Sequence, residues 1–83
     1  MRLPRDVSGA DLSKRLGRLG YKAVRQSGSH LRLRTDENGE HQITIPLHQD
    51  LRLGTLSAIL SDVADHHKLS RDQLLLLLFG GSS

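Results

Sequence analysis

The chain has no cysteine and no tryptophan, and its only aromatic residues are Tyr21 and Phe79. The missing cysteines exclude disulfides, thiolate metal sites and cysteine nucleophiles. Two rings are too few for a protein that stacks several nucleic-acid bases on exposed aromatic side chains. No apolar run approaches the ~20 residues that cross a bilayer, and no signal peptide is recognisable at the N-terminus, so we expect a cytoplasmic protein.

Length predicts a single small domain over residues 1–83, with a core over 8–66 and a C-terminal helix over 70–79. A chain of 83 residues buries only about 60–65% of its unfolded surface. Leucine supplies 17 of the 30 apolar residues, which favours a compact aliphatic core. We therefore expect no deep substrate cleft.

Charge is distributed unevenly along the chain. Residues 1–34 hold nine Lys and Arg against two acidic residues, whereas residues 35–83 hold three against seven. A basic half can attract phosphate groups, while an acidic half faces water. Many small domains have such a half without binding nucleic acid, so charge alone does not decide the function.

The first helix is predicted to begin after Ser8, because Ser8 and Asp11 have the spacing of a capping box. Three leucines at helical spacing form its apolar face, and Gly20 is the expected stop: they are Leu12, Leu16 and Leu19. Gly17 inside this segment costs about 1 kcal/mol relative to alanine. A close approach to a strand would explain it.

Three strands are predicted over residues 21–27, 30–35 and 41–47. In the first we expect Val24 to point inward. The second and third alternate apolar and polar residues around a turn centred on Asn38 and Gly39, which predicts a β-hairpin. One sheet face must hold all the apolar side chains of this hairpin, and only one pairing parity does so. The predicted pairs are His30 with Pro46, Arg32 with Thr44 and Arg34 with Gln42, and His48 follows on the polar face near Gly28.

Two further helices follow the hairpin. The first begins near Gly54 and continues to a connector at 65–69, in which His66 and His67 are expected to be solvated. The second, over 71–79, is capped by Ser70 and is expected to end at Gly80 and Gly81. It is apolar all round, so either this domain or a partner must bury it. The sequence thus predicts an α+β fold, an α-β-β-β-α two-layer sandwich with a three-stranded antiparallel sheet and a short extra helix.

Candidate chemistry is concentrated at Gly28, Ser29 and His30. Glycine allows close approach to an anion, serine and backbone N–H groups donate to phosphate, and a histidine can transfer a proton near neutral pH. Four nearby cations are candidates for binding phosphate: Lys22, Arg25, Arg32 and Arg34. An exposed histidine at a strand end is more often without function, so this pattern needs context.

The predicted register supplies some context, because it places His48 on the same face as His30. Two histidines flanking a phosphate can divide the base and acid roles, and the ribose 2′-hydroxyl then serves as nucleophile. The alternative is that His48 only fixes the loop after Pro46. The carboxylates that cluster in the hairpin turn lie at its far end from His30 and are ordinary turn residues, so we expect no metal and no cofactor.

Four motifs occur in order along the chain: LGRLGY at 16–21, VRQSGSH at 24–30, IPLH at 45–48 and LGTLSAIL at 53–60. This ordered set resembles the HicA (YcfA-like) mRNA interferase toxins of HicAB toxin–antitoxin systems. The resemblance implies a double-stranded-RNA-binding-domain-like fold and metal-independent RNA cleavage that depends on one histidine, here His30. It also implies a HicB-family antitoxin that binds the toxin and covers this histidine.

Two other functions fit parts of the sequence. The basic half fits an RNA-binding module without turnover, and the leucine-rich C-terminal helix fits a protein-interaction domain. RNA and an antitoxin protein are the expected partners of the ribonuclease, RNA alone of the binding module, and another protein of the interaction domain.

Overall fold

A computed structural model describes residues 3–80 of the chain. Its elements are helix α1 (Gly9–Leu16), strands β1 (Lys22–Ser27), β2 (His30–Thr35) and β3 (His41–Pro46), and helices α2 (Leu53–His67) and α3 (Arg71–Phe79). The strands form one antiparallel sheet in the order β1-β2-β3. This confirms the α+β fold class, while Gly81, expected to help end α3, lies outside the described residues.

Helix α1 begins as its sequence predicts. The Ser8 hydroxyl accepts a hydrogen bond from the Asp11 backbone N–H at 2.9 Å, and a 3-10 turn over Gly17–Leu19 ends at Gly20 with a φ of 82°. The expectation for Gly17 is wrong, because a Cβ there would meet nothing within 4 Å. The close approach is at Gly9 instead, where a Cβ would lie 1.9 Å from the Pro46 carbonyl oxygen.

The register of the β2–β3 hairpin is the predicted one. His30 pairs with Pro46, Arg32 with Thr44 and Arg34 with Gln42. Leu33, Ile43 and Ile45 are consequently buried against the helices. The other face of the sheet, which we call the open face, carries exposed polar and charged side chains.

A β-bulge at Val24 interrupts the pairing of β1 with β2. Ala23 pairs with Leu33, but the next pair is Arg25 with Arg32, so Val24 is the extra residue. The prediction that Val24 points inward is wrong, since its side chain is 53% exposed. The bulge reverses the alternation of the strand, which allows Tyr21 to be buried although residues of the same parity, Arg25 and Ser27, are exposed.

Helix α2 is longer than predicted, because residues 65–67 continue it instead of beginning a connector. It ends at Lys68, whose φ of 57° is left-handed. The extension carries His67 into the protein, where the residue is only 7% exposed. The expectation that both histidines are solvated is therefore wrong for His67.

Helix α3 packs into this domain. The cap predicted at Ser70 is present with both hydrogen bonds of a capping box. Three leucines of α3 join the core of the other elements: Leu74, Leu75 and Leu78. Two arginines of the first helical segment hold its C-terminal end: Arg15 Nη1 donates to the Leu78 carbonyl at 2.8 Å, and Arg18 Nη1 to that of Leu77 at 2.6 Å. The domain thus buries one side of α3, while Leu76 and Leu77 on the helix stay exposed.

Candidate active site

A shallow pocket of about 140 Å³ opens on the open face near the β1–β2 turn. All three strands line it, through Arg25, Ser27, His30, Arg32 and Thr44. Cross-strand pairing brings Ser27 opposite His30, and Arg32 between Arg25 and Thr44. The pocket thus offers two guanidinium groups, an imidazole and two hydroxyls to one small anionic group.

His30 is exposed in this pocket. Within the part of the chain that the structure describes, neither its imidazole nor the Arg25 guanidinium forms a hydrogen bond or an ion pair. Arg32 is oriented by Gln42, whose side-chain oxygen accepts from Arg32 Nη1 at 3.2 Å. Two of the three ionisable groups can therefore contact a ligand without breaking an internal contact.

The β1–β2 turn consists of Gly28 and Ser29 alone, since Ser27 pairs with His30. Gly28 has a φ of 59°, and nothing lies within 4 Å of a Cβ built there. Glycine at the first of two turn residues is typical of a type II′ hairpin turn. The conformation of the turn, rather than a close contact within the protein, accounts for Gly28.

The two remaining predicted groups, Ser29 and His48, lie near the β1–β2 turn, but neither lines the pocket. Ser29 accepts a backbone hydrogen bond from Leu47 N–H at 2.6 Å, so the segment after β3 runs beside the turn. His48 follows in this segment; it is exposed but does not line the pocket. Its carbonyl accepts from Gly9 N–H at 2.9 Å, which fixes its backbone against α1.

Lys22 and Arg34 form the next cross-strand pair along the open face beyond Arg25 and Arg32. Arg34 is held by two carboxylates, Asp36 at 2.8 Å and Glu40 at 3.5 Å. Lys22 is exposed and has no such partner among residues 3–80. The predicted cations therefore share one face, but only Arg25 and Arg32 line the pocket with His30.

The far end of the hairpin holds a group of side chains that the sequence reasoning missed. We call it the histidine network: Tyr21, His41, His66 and His67, with Asn38 and Asp62 at its ends. Tyr21 Oη lies 2.6 Å from His41 Nδ1 and 3.1 Å from His67 Nε2. The rings of His41 and His66 stack with their centroids 4.3 Å apart. The network joins the start of β1, the β2–β3 turn, the start of β3 and the end of α2.

The partners of the network assign its protons. The Asn38 amide nitrogen donates to His67 Nδ1 at 3.1 Å. His67 Nδ1 is therefore the acceptor, and the His67 ring is neutral. His67 Nε2–H then donates to Tyr21 Oη, the Tyr21 hydroxyl donates to His41 Nδ1, and His41 Nε2–H donates to Asp62 at 3.2 Å. With the Asn38 amide nitrogen as donor, each donor in the series meets an acceptor.

Burial has opposite effects on the two buried members of the network. Desolvation by burial lowers the pKa of His67, and the nearby His66 lowers it further. Burial raises the pKa of the Tyr21 hydroxyl, with Asp62 and Glu37 adding to the effect. His67 therefore stays neutral and Tyr21 stays protonated at neutral pH, as their hydrogen bonds require.

The described residues form neither a metal site nor a membrane-spanning helix. Residues 3–80 contain no group of three or more His, Cys, Asp or Glu side chains arranged to hold a metal ion. In the three histidines of the network, ring nitrogens are already bonded to protein groups. None of the helices described here is long and apolar enough to span a membrane.

The fold and the pocket define a small α+β protein with a basic, histidine-bearing sheet face. Residues 9–64 match the model of a protein family described as HicA toxin of bacterial toxin–antitoxin. Because the match covers more than half of the chain, the protein belongs to this family and is a toxin of a toxin–antitoxin system. No curated protein and no solved structure gave a significant match. The family assignment confirms the resemblance inferred from the motifs, and α3 lies outside the matched range.

Proposed function

We propose that this toxin is an endoribonuclease, an mRNA interferase, that cleaves RNA with His30 as its essential acid–base group. The observation that supports the proposal most strongly is the exposed imidazole of His30 in a pocket with two arginines. Members of this family are generally ribonucleases. A histidine without internal partners is free to exchange protons with a substrate, which general acid–base catalysis requires.

The reaction balances without a co-reactant. His30 removes the proton from a ribose 2′-hydroxyl, whose oxygen forms a bond to the adjacent phosphorus. The bond from phosphorus to the 5′-oxygen of the next nucleotide breaks, and this oxygen takes up a proton from the acid group, for which His48 is the candidate. The products are a 2′,3′-cyclic phosphate and a 5′-hydroxyl.

The other groups of the site have supporting roles in this proposal. Arg25 and Arg32 stabilise the charge that develops on the phosphoryl oxygens, as fixed cations do in other phosphoryl transfers. Ser29 and the backbone at Gly28 orient the phosphate beside the turn. His48 is the candidate second acid–base group, because its segment runs beside Ser29. A HicB-family antitoxin inhibits the toxin by covering His30.

The variant His30→Ala tests the central step. We expect RNA cleavage to fall by about 10²–10⁴-fold. The free energy of unfolding should change by less than about 0.5 kcal/mol, because the side chain is exposed and has no internal partner. The measurement is single-turnover cleavage by antitoxin-free protein, with a urea melt of each variant and Lys14→Ala as the surface control. Cleavage by His30→Ala at the wild-type rate would refute the proposal.

Product chemistry tests the nucleophile separately. An RNA with a single 2′-deoxyribose at the cleavage position should resist the enzyme, and the normal product should end in a cyclic phosphate. Activity should survive EDTA, since no step calls for a metal. A product with a 5′-phosphate would contradict attack by the 2′-hydroxyl.

A non-catalytic RNA-binding function is the second candidate. It is favoured by the four cations that share the open face of the sheet. Binding that weakens steeply with salt, together with no cleavage by antitoxin-free protein, would support this function instead of the ribonuclease.

A further inference from the structure

The open face extends beyond the pocket that holds His30. One cross-strand step from Arg25 and Arg32 lies the pair Lys22 and Arg34, which we call the flank pair. Residues two apart on a strand lie about 7 Å apart along it. A chain of phosphates that crosses the pocket along β2 in this direction therefore meets the flank pair next.

The flank pair has a depression of its own, separate from the pocket. Its volume is about 350 Å³, and Lys22, Val24 and Arg34 line it together with Gly20, Asp36 and Glu37. Within residues 3–80 the Lys22 ammonium has no hydrogen bond or ion pair. Lys22 thus has no ion-pair partner among these residues, whereas Asp36 and Glu40 already hold Arg34.

The bulge at Val24 is what places Lys22 on this face. Lys22 and Arg25 have opposite parity, so a regular strand would direct them to opposite faces of the sheet. The pairs Lys22–Arg34 and Arg25–Arg32 put both on the open face, because Val24 is the extra residue between them. Bulges commonly re-aim side chains next to functional sites.

We propose that the flank pair is a second phosphate subsite, which binds the RNA backbone one step from the phosphate that is cleaved. The inference rests on the proposed ribonuclease function. Lys22 supplies most of the attraction, because Arg34 is largely neutralised by its carboxylates. Contacts at this subsite are the same before and during the reaction, so they lower KM without raising kcat.

Substrate length tests the subsite. A dinucleotide fills only the pocket, whereas a longer RNA of the same sequence around the cleaved bond also reaches Lys22. We expect Lys22→Ala to raise KM for the longer RNA by up to about fivefold, to leave kcat unchanged and to have no effect on the dinucleotide. Arg25→Ala should impair both substrates. Lys14→Ala, which removes an exposed lysine on α1, should impair neither.

The salt dependence of binding gives a second readout. In the His30→Ala background, Lys22→Ala should reduce the slope of log K against log salt by about 0.7 for the longer RNA. Equal effects of Lys22→Ala on both RNAs, or no effect on either, would overturn the subsite. If the wild-type protein cleaves nothing, the ribonuclease proposal fails. Binding of the same two RNAs then tests the subsite by itself. Lys22→Ala should weaken binding of the longer RNA and leave binding of the dinucleotide unchanged.

Discussion

Histidines lie at both ends of the β2–β3 hairpin, but their surroundings are opposite. At the β1–β2 turn, His30 is exposed and has no side-chain partner among the described residues. At the other end, His67 is 7% exposed and bonded through both ring nitrogens. A side chain whose partners are all within the protein stabilises the fold, whereas one without partners can exchange protons with a ligand. The partners of a histidine, more than its presence, thus separate a candidate catalyst from a structural residue.

The largest expected effect that would sharpen this comparison comes from His67→Ala. The substitution opens a cavity, removes the donor to the Tyr21 hydroxyl oxygen and removes the acceptor of the Asn38 amide. We expect the free energy of unfolding to fall by about 2–4 kcal/mol, measured by urea denaturation at pH 7.5. The kcat of the folded fraction should stay within about twofold of wild type, which is the reverse of His30→Ala. A loss of cleavage without a loss of stability would break the comparison.

The pH dependence of stability is a smaller effect with a definite sign. The pKa of His67 is lower in the folded protein than the ordinary value of 6.5, so between these values the unfolded chain binds more protons. Stability from this group is therefore complete above pH 6.5 and is lost as the pH falls toward the folded pKa. Wild type should lose more stability than His67→Gln between pH 7.5 and 5.5. An equal loss in both proteins would assign the pH dependence to other groups.

The smallest expected effect is at the pocket, in Thr44→Val. Valine keeps the β-branched shape on an exposed strand position, so the free energy of unfolding should change by less than about 0.5 kcal/mol. Loss of the hydroxyl should slow RNA cleavage by about fivefold, the value of one ordinary hydrogen bond. Single-turnover rates and a urea melt measure the two effects. A stability loss with an unchanged rate would show that Thr44 is structural.

The hairpin register could be predicted because it depends on a constraint within the sequence. The apolar residues of β2 and β3 must share one face, and only one parity of pairing allows this. The same constraint puts His30, Arg32 and Thr44 on one face, as the structure has them. Local alternation predicts this shared face, but it does not predict the pocket.

The bulge and the histidine network depend on contacts between distant segments, and were therefore missed. Tyr21, Asn38 and His67 come from three separate parts of the chain. Adjacent histidines near the end of a helical pattern give no local sign of burial. One signal was available in the sequence. Regular alternation would expose both Arg25 and Tyr21, the only tyrosine. Because an aromatic ring favours burial, the pattern indicates a bulge between these two residues.

The anchoring of α3 also bears on how polyanions meet the molecule. Arg15 and Arg18 belong to the basic first half of the chain. Their Nη1 groups donate to the carbonyls of Leu78 and Leu77, at a helix end of partial negative charge. A count of basic residues therefore overstates how many cations of this half are free to contact a ligand. In the proposed ribonuclease, Lys22 and Arg25 of the sheet are available to RNA because neither has an internal partner among the described residues.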